Sequence, residues 1–193
     1  LLWDSRKKIR LVATEEAMRG GLIGLIRKVD PTFDIVADRK YRAVNADGYL
    51  VDLIKRRPLS LSDDREAQQI IPNEQDFWAT KIKNMDWLLS SPKVAATIIS
   101  TNGAMAQMTT VDPRAFVLFK AWTSIQEDRE PLKKRRDLLQ ARAVRKLILD
   151  RLPQFGFDKI TSFPDELLKA IDGIDEGAFS IADGARNRFL FGK

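Results

Sequence analysis

The 193-residue chain contains no cysteine and no histidine. The first absence excludes disulfides and thiolate metal sites. The second removes the commonest metal ligand and general base, so zinc chemistry and Ser-His-Asp catalysis are both excluded. Any metal must be a hard ion held by carboxylates, which favours Mg2+ or Mn2+, and any proton transfer falls to Asp, Glu or Lys. No run of about 18 apolar residues exists, so no membrane span is expected, and without a signal-peptide pattern the chain reads as cytoplasmic. No basic stretch is interleaved with aromatics in the manner of an RNA-binding module. What is abundant is charge of both signs. Lys and Arg number 33 against 27 Asp and Glu, a formal net charge of +6, and that excess points to an anionic partner such as a phosphate group. The 44% apolar content is that of a folded chain able to bury one good core, or a small sheet domain with a helical cap.

The best-signalled stretch runs from Asp112 to Leu152. Asp112 is a good N-cap, and Pro113 at the first helical position lacks only an N–H that would be unpaired there anyway. Ala115, Leu118, Phe119, Trp122 and Ile125 recur at the spacing of a buried stripe, and Arg129-Glu130-Pro131 ends the helix. A second helix follows, with Ala141, Val144, Ile148 and Leu152 in line; one turn back, the same line reaches Asp137 and Gln140. A carboxylate on a core-facing stripe is costly unless cations meet it, and Lys120, Arg135 and Arg136 are the nearby candidates. On spacing alone the constellation is either a structural ion pair tying two helices together or part of a binding site. The basic residues between Arg129 and Arg151 could serve nucleic acid, although such runs usually mark a solvated helix face.

The preceding half reads as a helix followed by short strands. Thr14 caps a helix that Asp30-Pro31 stops, and Gly20, Gly21 and Gly24 weaken it unless a backbone or a phosphate approaches closely. Asp47-Gly48 joins Tyr41–Ala46 to Tyr49–Ile54, and Asn102-Gly103 joins Val94–Thr101 to Ala104–Thr110, both read as two-residue hairpin turns. The first pairing sets Ala43 opposite Asp52 and leaves a carboxylate in an apolar strand. Asp52 is then either a solvent-facing edge residue or a metal-binding group. Arg56 to Asp76 reads as a surface loop, Phe77 to Leu89 as a helix, and Ser162 to Ile171 as a short helix with its start. The expected fold class is α+β: about four or five strands and two hairpins over 1–111, then a helical region over 112–193.

Asp112-Pro113-Arg114-Ala115, Lys120 and Arg135-Arg136-Asp137 with Gln140 resemble the C-terminal helical region of a bacterial nucleotidyltransferase-like family, and more loosely that of polymerase-beta-type nucleotidyltransferases. The resemblance extends from Leu1 to about Phe163. It implies part of a nucleotidyltransferase palm sheet, a nucleoside triphosphate substrate, Mg2+ or Mn2+, and transfer of a nucleoside monophosphate to an acceptor hydroxyl on a small molecule, an RNA or a protein. It implies Asp52 as a catalytic, metal-binding carboxylate and Lys120 on the triphosphate, with Arg136, Asp137 and Gln140 completing the nucleotide site. Leu1-Leu2-Trp3-Asp4 resembles the segment that follows the family's Asp-x-Asp pair, so that pair is expected directly upstream and the chain is expected to be incomplete. Asp4 is a candidate outer-shell metal carboxylate or a turn residue. The competing reading is a non-catalytic basic interaction protein, or a nucleic-acid-binding one, on the same fold.

Overall fold

The structure, a computed structural model, describes residues 1–3, 15–57 and 68–175. Asp4, the Thr14 cap, the middle of the 56–76 loop and the C-terminal tail lie outside the described residues. The fold is α+β, as expected: among the described residues eight short strands form three small sheets, accompanied by five α-helices. The chain divides into two compact units, Leu1–Met85 and Asp86–Lys193.

The first unit holds β1 (Leu2–Trp3), α1 (Glu15–Val29), β2 (Asp34–Ile35), β3 (Arg42–Val44), β4 (Leu50–Asp52), β5 (Ile54–Arg56) and β6 (Thr80–Ile82). β1, β5 and β6 make a parallel sheet, and β2, β3 and β4 an antiparallel one. Ile23, Phe33, Ala43, Leu53, Phe77 and Ala79 form the buried core. Phe77 and Ala79 are buried two residues apart, the period of extended chain. That explains why the helix expected over Phe77–Leu89 is confined to α2 (Met85–Ser90), after β6 and a turn in which Asn84 takes a positive φ of 54°.

The β3–β4 hairpin departs from expectation by one residue. Its register pairs Arg42 with Asp52 and Val44 with Leu50, so the loop is the three residues Ala46-Asp47-Gly48. The Gly48 N–H donates to the Asn45 carbonyl at 3.0 Å, the Asn45 N–H to the Tyr49 carbonyl at 3.1 Å, and Gly48 sits at φ +79°. This is a type I turn closed by a left-handed glycine, the usual three-residue hairpin. The second hairpin repeats it: Ser100 N–H to Ala104 carbonyl at 2.8 Å, Gly103 N–H to Ser100 carbonyl at 2.9 Å, with Gly103 at φ +82°. A residue slipped at a turn changes every partner along the strand, so Asp52 faces an arginine rather than Ala43.

Helix α1 is broken at Gly21, whose φ of 65° and ψ of −168° are open essentially to glycine alone. The break frees the next two backbone N–H groups, and both donate to the buried carboxylate of Asp76, from Leu22 at 2.5 Å and Ile23 at 2.9 Å. The close approach that the glycines allow is thus made by a carboxylate of the same unit.

The second unit takes up from α2 and contains β7 (Lys93–Ile99), β8 (Met105–Val111), α3 (Pro113–Ser124), α4 (Pro131–Arg151) and α5 (Asp165–Ala170), with 3-10 turns at Phe157–Lys159 and Ile171–Ile174. α3 and α4 are the two helices expected within 112–152. The β7–β8 ribbon stands alone, exposed along nearly all of both strands. Asp112 caps α3 through the Arg114 N–H at 2.8 Å and also grips the Arg114 guanidinium at 2.9 and 2.6 Å. Arg114 in turn donates to the Gly156 carbonyl at 2.8 Å, tying the start of α3 to the chain beyond α4. Trp87 packs edge-on against Trp122 of α3 at 5.3 Å and tilted against Phe163 at 5.2 Å, forming an aromatic cluster. Among the described residues no helix is long and apolar enough to cross a membrane.

Gly21→Ala is expected to destabilise the first unit strongly. Its Cβ would stand 2.6 Å from Asp76 Cγ, displacing the carboxylate from both amides while also straining the backbone. Together these should cost about 2–4 kcal/mol in chemical denaturation. The corresponding change at Gly24, where an added Cβ meets nothing within 4 Å, should be neutral or mildly stabilising, and equal losses at both positions would contradict the account.

Candidate functional site

In the second unit a buried charge cluster surrounds Asp137. Its position on α4 follows from the helix start: Pro131 fixes the first turn, and from there the helical repeat puts Asp137, Ala141 and Ile148 on one face, all three buried. Opposite, α3 presents the buried Ala115, Leu118 and Ala121. Alanine on both helices favours close approach, and the carboxylate is fully buried between them. Asp137 is met instead by two cations. Lys120 Nζ donates to Oδ1 at 2.7 Å, and Arg129 donates to Oδ2 through Nε at 2.9 Å and Nη2 at 2.7 Å. Burial by itself would push this carboxyl up, but the hydrogen bonds and charges of Lys120 and Arg129 outweigh it and hold the group below the usual aspartate value.

Lys120 was an expected partner, and the structure places it there, its ammonium also 5.7 Å from the Phe116 ring centre. Arg129 was not foreseen as one. It lies in the turn between the helices, where the Gln126 N–H bonds to the Thr123 carbonyl at 3.2 Å and the Arg129 N–H to the Gln126 carbonyl at 3.2 Å. Those tight turns bring it back over the start of α4. Only the shortness of the 125–130 connection hinted at this, since a residue eight positions before its partner has no periodic relation to it. Arg135 and Arg136, the other two expected partners, are both exposed and make no hydrogen bond among the described residues. Each residue of a helix turns by about 100°, so Arg136 leaves the face that Asp137 occupies. Gln140, one turn after Asp137, carries a buried Oε1 with no hydrogen-bond partner. A buried amide oxygen without a donor is uncommon in folded proteins. The cluster therefore combines two cations held by one carboxylate, a net positive charge, with an unsatisfied acceptor one turn away.

In the first unit Asp52 lies on β4, paired with β3 as expected of the hairpin. Both its oxygens are taken: Arg42 donates through Nε at 2.6 Å and through Nη2 at 2.7 Å, a two-pronged ion pair on a half-buried surface. The hydrogen bonds to Asp52 raise the Arg42 pKa further above its ordinary value. Among the described residues no three of His, Cys, Asp or Glu come together in a way that could hold a metal ion. The described carboxylates therefore do not by themselves make a site for Mg2+ or Mn2+.

A family model described as Nucleotidyltransferase matches residues 1–163. That span includes both Asp52 and the whole Asp137 cluster, and it ends at the aromatic contact of Phe163. No curated protein and no solved structure gives a match.

The buried carboxylate makes a pH prediction with a definite sign. The folded-state pKa of Asp137 lies below its ordinary value of 3.8. Its stabilising contribution is therefore complete above that value and is lost as pH falls through the lower folded one. Asp137→Asn should destabilise the second unit by about 3–5 kcal/mol at neutral pH, the range for removing one member of a buried ion pair. It should also flatten the acid limb of the melting temperature against pH. A variant that melts lower but keeps the full acid limb would assign that limb elsewhere, Asp112 being the next carboxyl held low by its partners.

Proposed function

The chain belongs to the nucleotidyltransferase family, and from that membership we propose that its helical unit binds the phosphates of a nucleoside triphosphate for transfer of the nucleoside monophosphate to an acceptor hydroxyl. In that reaction the acceptor hydroxyl gives up its proton to solvent, its oxygen forms a bond to the α-phosphorus, the bond from the α-phosphorus to the bridging oxygen breaks, and pyrophosphate leaves with the negative charge. The observation that carries the reading is the Asp137 cluster inside the matched span. Lys120 and Arg129 are fixed in place by the carboxylate between them, so no side-chain ordering is needed when phosphate oxygens arrive. One anion cancels only one of the two cations, and the remaining charge is available to a polyphosphate. Lys120 and Arg129 keep 22 and 31% of their side-chain surface exposed, enough for a phosphate oxygen to reach their remaining N–H groups. Gln140 Oε1 would accept a hydrogen bond from a hydroxyl or amino group of the same nucleotide. Mg2+ or Mn2+ is what the family implies as cofactor, and Asp52 is the candidate ligand among the described carboxylates.

A second reading is favoured by one observation. Arg42 occupies both oxygens of Asp52, and a metal would have to take at least one of them. On that reading the protein binds an anionic partner, a nucleotide or a nucleic acid, without turning it over.

Calorimetric titration of ATP and GTP into the wild type, Lys120→Ala, Lys120→Arg and Lys169→Ala tests the nucleotide site. Lys120→Ala should weaken binding by about 1.5–3 kcal/mol, the worth of a hydrogen bond to a charged group, with Lys120→Arg recovering part of it and the exposed Lys169 nearly silent. Melting curves of each variant separate lost binding from lost folding. Equal losses at Lys120 and Lys169 in folded variants would reduce the site to diffuse basic attraction.

A further inference from the structure

Helix α4 is amphipathic on the wrong side as well as the right one. Opposite the row Asp137-Ala141-Ile148 that is buried in the unit, Leu132, Leu139 and Leu147 keep 76, 54 and 51% of their surface exposed. Seven residues make nearly two turns, so Leu139 falls in line with Leu132, and Leu147, eight further on, lies about 80° round; together they form a slanting row about 22 Å long. Single exposed leucines are ordinary, but a row on a helix already anchored by its other face is an apolar strip that the described residues leave open. Its flanks are cationic. Arg135 and Arg136 are exposed without hydrogen bonds among the described residues, and Lys146, paired with Asp150 along the helix at 2.9 Å and within the field of Asp175, stands at the far end.

We propose that this face of α4 docks an acidic amphipathic helix of a protein partner, which buries the three leucines under its own apolar residues and sets carboxylates against Arg135, Arg136 and Lys146. Charge decides among the possible occupants. A second copy of this chain pairing α4 on α4 about a two-fold axis would bring Arg135, Arg136 and Lys146 onto the same cations, and like charges across an interface oppose it. A lipid surface would have to take Arg136 into hydrocarbon together with its neighbours, because it lies between Leu132 and Leu139 in the row, whereas a carboxylate-bearing helix pairs it. A nucleic acid would satisfy the arginines through its phosphates but leave the leucines in water. An acidic helix alone answers both the apolar row and the charge beside it, in the manner of helix-in-groove recognition. The surface is separate from the Asp137 cluster, so its fate does not depend on the nucleotide reading.

The test uses the full chain and a fluorescent synthetic helical peptide of 21 residues, about the length of α4, with leucine at every third or fourth position and glutamate between. A scrambled peptide of the same composition, vesicles of phosphatidylcholine and phosphatidylserine, and a single-stranded oligonucleotide are the comparison probes. The patterned peptide should bind at least about tenfold more tightly than the scrambled one, and Leu139→Ser and Arg136→Glu should each remove about tenfold or more. Against Arg136→Glu, a peptide with lysine replacing some glutamates should regain affinity relative to the wild-type chain. Both positions are exposed, so helical content and melting temperature should stay as in the wild type, and Leu132→Ser repeats the test should either change them. Equal binding of the two peptides, or no loss in Leu139→Ser, would overturn the proposal. So would binding of the vesicles or the oligonucleotide in preference to the patterned peptide.

Discussion

A carboxylate buried between two helices is a cost before it is a contact. Removing an aspartate from water costs several kcal/mol, and the low dielectric returns it only if every oxygen is met by a donor in good geometry. At Asp137 that condition is satisfied by Lys120 from α3 and Arg129 from the connection. The arrangement constrains the sequence around it: the turn over 125–130 must be short enough to return Arg129, the helices must carry alanine at Ala115, Ala121 and Ala141 to approach, and α4 must start at Pro131 to set the phase. Any sliding of α4 along α3 would leave a buried charge unpaired. The ion pair therefore contributes less as net stability than as a penalty on every alternative register.

The same device recurs at other points where the chain must hold a defined shape. Asp76 takes the two amides released by the Gly21 break, and Asp112 takes both a backbone amide at the start of α3 and the guanidinium that reaches Gly156. Asp52 holds Arg42 across a hairpin. In a chain without histidine or cysteine, carboxylates and guanidinium groups are the strongest directional partners available. Each of these four aspartates spends its oxygens on partners within its own unit.

Much of this was legible in the sequence where one local rule dominates. The Asp112-Pro113 cap and the two apolar lines of 112–152 gave both helices to within a residue or two, and the odd polar residues at the end of the second line identified Asp137 as a charge needing a cation, with Lys120 one of three candidates. Illegible features depended on geometry finer than a pattern. Asn-Gly and Asp-Gly signal a two-residue turn as readily as a three-residue one, and the difference moved Arg42 opposite Asp52 in place of Ala43. Gly21 announced some close approach, but its visitor lies more than fifty residues away, beyond any periodic signal. Phe77 and Ala79 alternate over too few positions to outvote the helical spacing of the residues after them.

Helix α4 shows why the two faces of one element had to be separated by structure. Its larger side chains, Leu132, Leu139 and Leu147, lie on the outside, while the face pressed on α3 is built from Asp137, Ala141 and Ile148. Hydrophobicity alone would favour the leucine row for the core. Packing reverses the choice, because helices close on small residues, and a buried aspartate with two cations fixes their phase more sharply than leucines that tolerate several. With apolar residues on both sides, the helical period is diluted and the cations fall at every angle. Some are drawn inward, as Arg145 is by Asp172 and Asp175. Those left on the outer face, Arg135 and Arg136, are exposed and make no hydrogen bond among the described residues, and the chain's excess positive charge acts on its surroundings through groups of that kind.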